Sequence, residues 1–178
     1  WQWTHYDLQQ ARSAIQNGFN EGVFLVNFVG HGYYGGWTNS GLFNTNDLAS
    51  LQPQTKLPII LAMTCMEGYY ISPTLYSSKQ EAMGEMITRA AGKGAVASWS
   101  PTGWGSVNGH DVLDRGFFKA VYKDDVNLIS QATTTGLLSI WATGENLDLL
   151  DTFLLFGDPA MRMNLTLKTM FLPLITKP

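Results

Sequence analysis

The chain has 178 residues, 45% of them apolar and only 14% charged, with a formal net charge of −3. That length can bury a sizeable core in one domain, and the low charge without any Lys/Arg cluster excludes a nucleic-acid-binding surface. No apolar run approaches the roughly 18 residues of a membrane span. The single cysteine, Cys65, rules out an internal disulfide and leaves almost no basis for a cysteine-based zinc site. The sequence opens at Trp1 with no Met and no signal-like segment, which reads as a mature or excised piece of a longer protein.

In chain order, Asp7–Asn17 reads as a helix: Asp7 can cap it, Leu8, Ala11 and Ile15 share a face, and Gly18 is a natural stop. Val23–Val29 is apolar and suits a buried parallel strand. A glycine-rich loop follows through Gly41, then a short helix over Asn44–Leu51. Pro58–Thr64 is a second buried strand that delivers Cys65 at its C-terminal end. After a loop over Met66–Ser77, Ser78 and Glu81 form a capping box for a helix that Gly92 ends. Gly94–Trp99 is a third strand. Helices are expected near Asp111–Tyr122 and Leu128–Trp141, while Leu147–Phe156 suits either helix or strand. Gly157-Asp158-Pro159 turns the chain into a last short strand near Met161–Leu167. Alternating strands and helices predict an α/β layered fold with parallel strands.

One stretch admits two chemistries. Gly30-His31-Gly32-Tyr33-Tyr34-Gly35 fits the G-x-G-x-x-G pattern of a dinucleotide-binding turn after a strand. That turn needs a helix to start inside the motif, so that the pyrophosphate rests on its N-terminus. Here Gly36-Trp37-Thr38-Asn39-Ser40-Gly41 follows, which is a loop, and the next strand closes on Met63-Thr64-Cys65 without a ribose-binding acid. The nucleotide reading fails on both counts.

The catalytic reading fares better. In a parallel sheet, functional side chains gather just beyond the C-terminal ends of strands. His31 lies two residues past one apolar run and Cys65 immediately past the next, and the chain between them suffices for one crossover. Cys65 can then act as a nucleophile, with His31 as the base that takes its proton and the acid that protonates the leaving amine. The N–H groups of Gly32 and Cys65 are the natural oxyanion donors. Tyr33, Tyr34, Trp37, Tyr69 and Tyr70 flank these positions and suit substrate subsites, with Tyr33 and Glu67 assigned to substrate binding. His110 reads as a surface or capping residue, and neither it nor His5 has metal-ligand spacing with His31.

An apolar strand ending in His-Gly, followed by one ending in Cys, resembles the cysteine-peptidase clan of caspases, legumains, separases and gingipains. The resemblance is closest to the gingipain-like family, peptidase family C25. It is carried by Val26–Gly32, Leu61–Gly68, Glu81–Glu85 with Gly92–Ser98, Asp111–Phe118 and Leu154–Ala160. It implies a caspase-like three-layer α/β/α sandwich around a mostly parallel sheet, with a His31–Cys65 dyad and the Gly32 and Cys65 amides as the oxyanion hole. It further implies that the loop Ser100–Asn108, through Trp104, walls the pocket for the residue before the scissile bond. No cofactor is required, and structural calcium is allowed near Asn44–Asp47, where a helix cap is the simpler account. A protein or peptide is the implied substrate, and the location is secreted or cell-surface.

The sequence also departs from that family. Members carry an acid that supports the histidine on segments before the His-Gly strand, yet only Asp7 and Glu21 precede it here. Residues 1–167 therefore read as the C-terminal part of a caspase-like domain lacking its first strands, with 168–178 a tail, linker or edge strand. The preceding part of the domain becomes an expected partner. Trp99–Gly109 holds no acid, so a preference for basic residues does not carry over. A non-catalytic or processing-restricted module of a secreted surface protein is the competing reading.

Overall fold

A computed structural model describes residues 7–52, 55–71 and 81–164. Its centre is a four-stranded sheet in the order β1 (Leu25–Val29), β5 (Ile59–Met63), β6 (Ala97–Pro101), β7 (Phe153–Gly157). The first three strands are parallel and β7 runs antiparallel to β6. β1 and β5 are direct neighbours in register, Leu25 opposite Ile59 and Val29 opposite Met63, so the two expected catalytic strands lie side by side.

Successive side chains of a strand face opposite sides of the sheet, and β5 is buried on both. Ile59, Leu61 and Met63 join Trp99 in a core against α3 (Val107–Tyr122), α4 (Ile129–Thr143) and α5 (Leu149–Thr152). The α3–α4 contact is tight because two glycines meet: a Cβ on Gly116 would lie 2.8 Å from the Gly136 Cα. Ile60 and Ala62 face the other core, formed with α1 (Leu8–Glu21), Trp37, Phe43, Leu48 and α2 (Met83–Arg89). The result is the layered α/β arrangement that the alternating sequence pattern implies.

Several boundaries move. Asp7 caps α1 as expected, accepting from the Gln9 and Gln10 amides, but the helix runs through Gly18 and stops at Gly22, which holds the left-handed conformation with φ 79°. The glycine-rich loop is instead a small antiparallel sheet of β2 (Gly32–Tyr33), β3 (Gly36–Trp37) and β4 (Phe43–Asn44). Asn44 then caps a 3-10 turn over Thr45–Ser50, with Asp47 completing a capping box. α2 starts at Met83 with no side-chain cap, while Glu81 pairs with Arg89 instead. Ser78, the other half of the expected box, lies outside the described residues. The third strand begins at Ala97, three residues later than the apolar pattern places it. The ambiguous Leu147–Phe156 stretch is both: the short α5, then β7. Of the last expected strand, an antiparallel bridge between Leu128 and Arg162 is seen; residues 165–167 and the tail fall outside the description.

Candidate active site

The two parallel strands set the site. β1 ends at Val29, and Gly30 donates its N–H to the Met63 carbonyl at 3.2 Å, which keeps the chain against β5 just before His31. His31 is exposed at the sheet's C-terminal edge. Its carbonyl accepts from the Thr38 N–H at 2.8 Å, so His31–Thr38 is a hydrogen-bonded pair of the hairpin. The next pair, Gly32–Trp37, is then a non-hydrogen-bonded one, and the Gly32 N–H points away from β3 and is open to a ligand. Gly32 has to be glycine because a Cβ there would collide with Thr64 Oγ1 at the end of β5.

Cys65 follows one residue later on the β5 side. Its thiol lies 3.7 Å from the Gly105 carbonyl, its hydrogen-bond acceptor. The Cys65 N–H donates to no backbone group among the described residues. Met66 takes the left-handed conformation with φ 59°, a cost of roughly 1 kcal/mol for a side-chain-bearing residue. The turn is held by two bonds it donates to the end of β6 and the loop beyond: Met66 N–H to Gly103 O at 2.9 Å and Gly68 N–H to Pro101 O at 2.8 Å. Such bracing is what allows a strained residue to persist beside the thiol.

His31 and Cys65 line one cavity of about 140 Å³, together with Val29, Gly30, Met63, Gly105, Val107 and His110. The structure therefore brings His31 and Cys65 together on one crevice; Gly32, next to His31 in the chain, is not among its lining residues. Tyr33, Trp104 and Glu67 are not among the cavity's lining residues. Tyr33 packs edge-on against Tyr34, and Trp104 stands 74% exposed on the loop before α3. Glu67 has no exposed surface at all, so a direct contact between its carboxyl and substrate does not fit this structure. It lies in the turn after β5, four residues past Met63, with its side chain buried.

His110 corrects the sequence reading in the other direction. It is not a surface or capping residue: Ser106 caps α3, accepting from the Gly109 N–H, and His110 lies one turn inside, 4% exposed. Its ring sits edge-on to Phe153 at 5.6 Å, and Nε2 faces Gly105 without a hydrogen-bond partner. Burial lowers its pKa, against a smaller upward pull from Asp148, so the imidazole in the pocket wall is neutral at pH 7. A signal was present in the sequence: His110, Leu113 and Phe117 recur at helical spacing and share the inward face. Val29, Met63 and Val107 escaped notice because apolar residues at strand and helix ends look like ordinary core.

No carboxylate among the described residues hydrogen-bonds to the His31 ring. Among these residues, no group of three or more His, Cys, Asp or Glu side chains is placed to hold a metal ion. Asp47, in the segment considered for calcium, is engaged by Arg12, Gln16 and the Asn44 N–H.

A layered α/β sheet presenting a histidine and a cysteine at adjacent strand ends is the architecture of caspase-like cysteine peptidases. The sequence model of peptidase family C25 matches residues 1–164, and the chain belongs to that family. Gingipain R2 of Porphyromonas gingivalis is 28% identical over 166 residues, which cover 88% of this chain and 22% of that protein. Gingipain R1 of the same organism is likewise 28% identical, over 16% of its length. The chain thus spans about a fifth of the curated relatives it matches. In fold it is similar to the Arg-specific cysteine proteinase gingipain R (RgpB), with a TM-score of 0.71 at 22% identity, over 85% of this chain and 36% of that one. A complex of the RgpB pro- and mature domains matches with a TM-score of 0.67.

Proposed function

We propose that this chain carries the dyad of a cysteine endopeptidase. His31 takes the Cys65 proton, and the sulfur attacks the carbonyl carbon of a bound peptide. The Gly32 and Cys65 N–H groups stabilise the oxyanion. His31 then gives its proton to the leaving amine, and a water molecule, deprotonated by His31, hydrolyses the thioester and restores the thiol. The cavity beside the dyad receives the side chain before the scissile bond, walled by Val29, Met63, Val107 and His110, with Trp104 at its rim. The observation that carries this reading is the shared crevice of His31 and Cys65 at the ends of neighbouring parallel strands.

Two features support a dependence on preceding polypeptide. Among the described residues β1 is an edge of the sheet although its sequence is apolar, and Val29 is 59% exposed. The His31 ring lacks a supporting carboxylate among the described residues. In this reading residues 1–167 are the C-terminal part of a peptidase domain, and earlier strands pair with β1 and supply the acid. The protein acts outside the cell or at its surface; no helix among the described residues is long and apolar enough to cross a membrane. The same unsupported histidine favours the competing reading, a module that keeps the fold for binding or assembly.

Labelling with a peptidyl chloromethyl ketone decides between them. Wild type is expected to be modified at Cys65, Cys65→Ala not at all, and His31→Ala far more slowly. A Cys65 that reacts no faster than a free thiol, with His31→Ala unchanged, would overturn the peptidase reading.

A further inference from the structure

The catalytic scheme leaves one buried carboxyl unused. Glu67 follows Cys65 by two residues, has no exposed surface, and neither carboxyl oxygen has a hydrogen bond of good geometry. The Trp37 indole N–H is close enough to favour the charged form of Glu67, yet Nε1 also lacks a well-formed hydrogen bond. Thr64 Oγ1 is a third buried group without a partner, lying against the Gly32 backbone.

These three orphans share a location. Trp37 belongs to the hairpin that begins at His31 and is paired with Gly32. Thr64 and Glu67 bracket Cys65 on the other segment. A buried polar group without a partner costs roughly 1–3 kcal/mol, and three at one seam point to a shared network, completed directly or by an internal water. The groups packed around this seam are uncharged. Ser98 and Ser100 bond each other at 2.6 Å, and the Gly84 N–H is taken by the Glu67 backbone carbonyl at 3.0 Å. No charged side chain among the described residues acts on Glu67.

We propose that Glu67 is a positioning residue of the peptidase, its carboxyl joining Trp37 and Thr64 across the seam and so holding the histidine hairpin against the nucleophile turn. A protonated carboxyl suits this place because it both accepts, from the Trp37 N–H, and donates, to Thr64 Oγ1 or a bridging water. Burial pushes the Glu67 carboxyl up to about 8, so the proton is retained at neutral pH. Loss of that proton puts an uncompensated charge into the joint and loosens it.

This inference rests on the peptidase reading, and the test separates the two. Glu67→Gln, Glu67→Ala and Trp37→Phe are compared with wild type in the natural polypeptide that contains this chain. The readouts are kcat and KM against pH and the rate of Cys65 labelling. Glu67→Ala is expected to lower kcat about tenfold or more with KM little moved. Glu67→Gln, which can also donate and accept, recovers most of that loss at pH 7 and lacks the alkaline fall that wild type shows near pH 8. Trp37→Phe moves that fall to higher pH, because the indole N–H favours the charged form. An identical alkaline fall in all variants, or Glu67→Gln no better than Glu67→Ala, overturns the proposal even if Cys65 is labelled normally. If Glu67→Ala does not fold, the pH profiles of the other two variants decide. If wild-type Cys65 is not labelled, the peptidase reading itself fails and this inference with it.

Discussion

The two faces of the central sheet are built on different terms. Towards α3 and α4, Ile59, Leu61, Met63, Trp99, Leu113 and Phe117 form a predominantly apolar core, with His110 and Thr133 buried at its margins. Towards the histidine hairpin, Ile60 and Ala62 give way to Thr64, Glu67, Ser98 and Ser100, all buried, beside Trp37. On this face the buried polar groups start at Ser98, opposite Ile60, and continue through Ser100 and Thr64 to Glu67 beside the catalytic edge. One face supplies cohesion. The other accepts a loss of stability next to the residues that would do chemistry, as strained or under-satisfied groups at functional sites commonly do.

Mutations on the two faces should therefore differ in size and sign. Phe117→Ala removes a ring that packs on Trp99 at 6.0 Å, and denaturant unfolding should show a loss of roughly 3–5 kcal/mol. Glu67→Gln should act oppositely and depend on pH. The unfolded carboxyl ionises near its ordinary 4.5, whereas the folded one keeps its proton to about 8. Folded protein thus binds the extra proton between these values, and stability falls as pH rises through that window, then levels off above it. Relative to wild type, the variant should gain nothing below about pH 4 and on the order of a few kcal/mol by pH 9. Melting curves across that range that show a pH-independent difference would contradict the burial of Glu67 without a compensating charge. Thr64→Val removes the hydroxyl assigned to the seam and leaves its partner unsatisfied, so denaturant unfolding should show a loss of about 1–3 kcal/mol. A loss below about 0.5 kcal/mol would place the hydroxyl outside the network. Away from both faces, Arg115→Ala breaks an exposed pair with Asp111 and should change stability by less than about 0.5 kcal/mol.

The contrast also shows where sequence reasoning succeeds. Val23–Val29 and Pro58–Thr64 are recognisable as strands from their apolar runs, but only β5 is buried on both sides; β1, expected to be buried, is half-exposed, with Val29 at the surface. The residues that terminate such runs, His31 and Cys65, then stand out by position alone. The burial of His110 and Glu67 is not legible in the sequence. Polar side chains near helix starts and in loops are ordinarily solvated, and whether one turns inward depends on what packs over it. Here Phe153, from a distant part of the chain, packs on His110, and the hairpin residue Trp37 meets Glu67. The hairpin itself was hidden because β2, β3 and β4 are two residues each, too short for any alternation to register.

Local pattern thus determined the strands, most of the helices, the parallel order of the first two strands and the residues placed at their ends. Each of these follows from the apolar period, the caps and the need of a parallel crossover for intervening chain. Only the tertiary structure decided which polar groups are buried at the catalytic edge, which wall the pocket, and that β1 is an edge among the described strands. Those outcomes depend on contacts between residues far apart in sequence, where burial, not residue type, sets whether a carboxyl or an imidazole carries a charge.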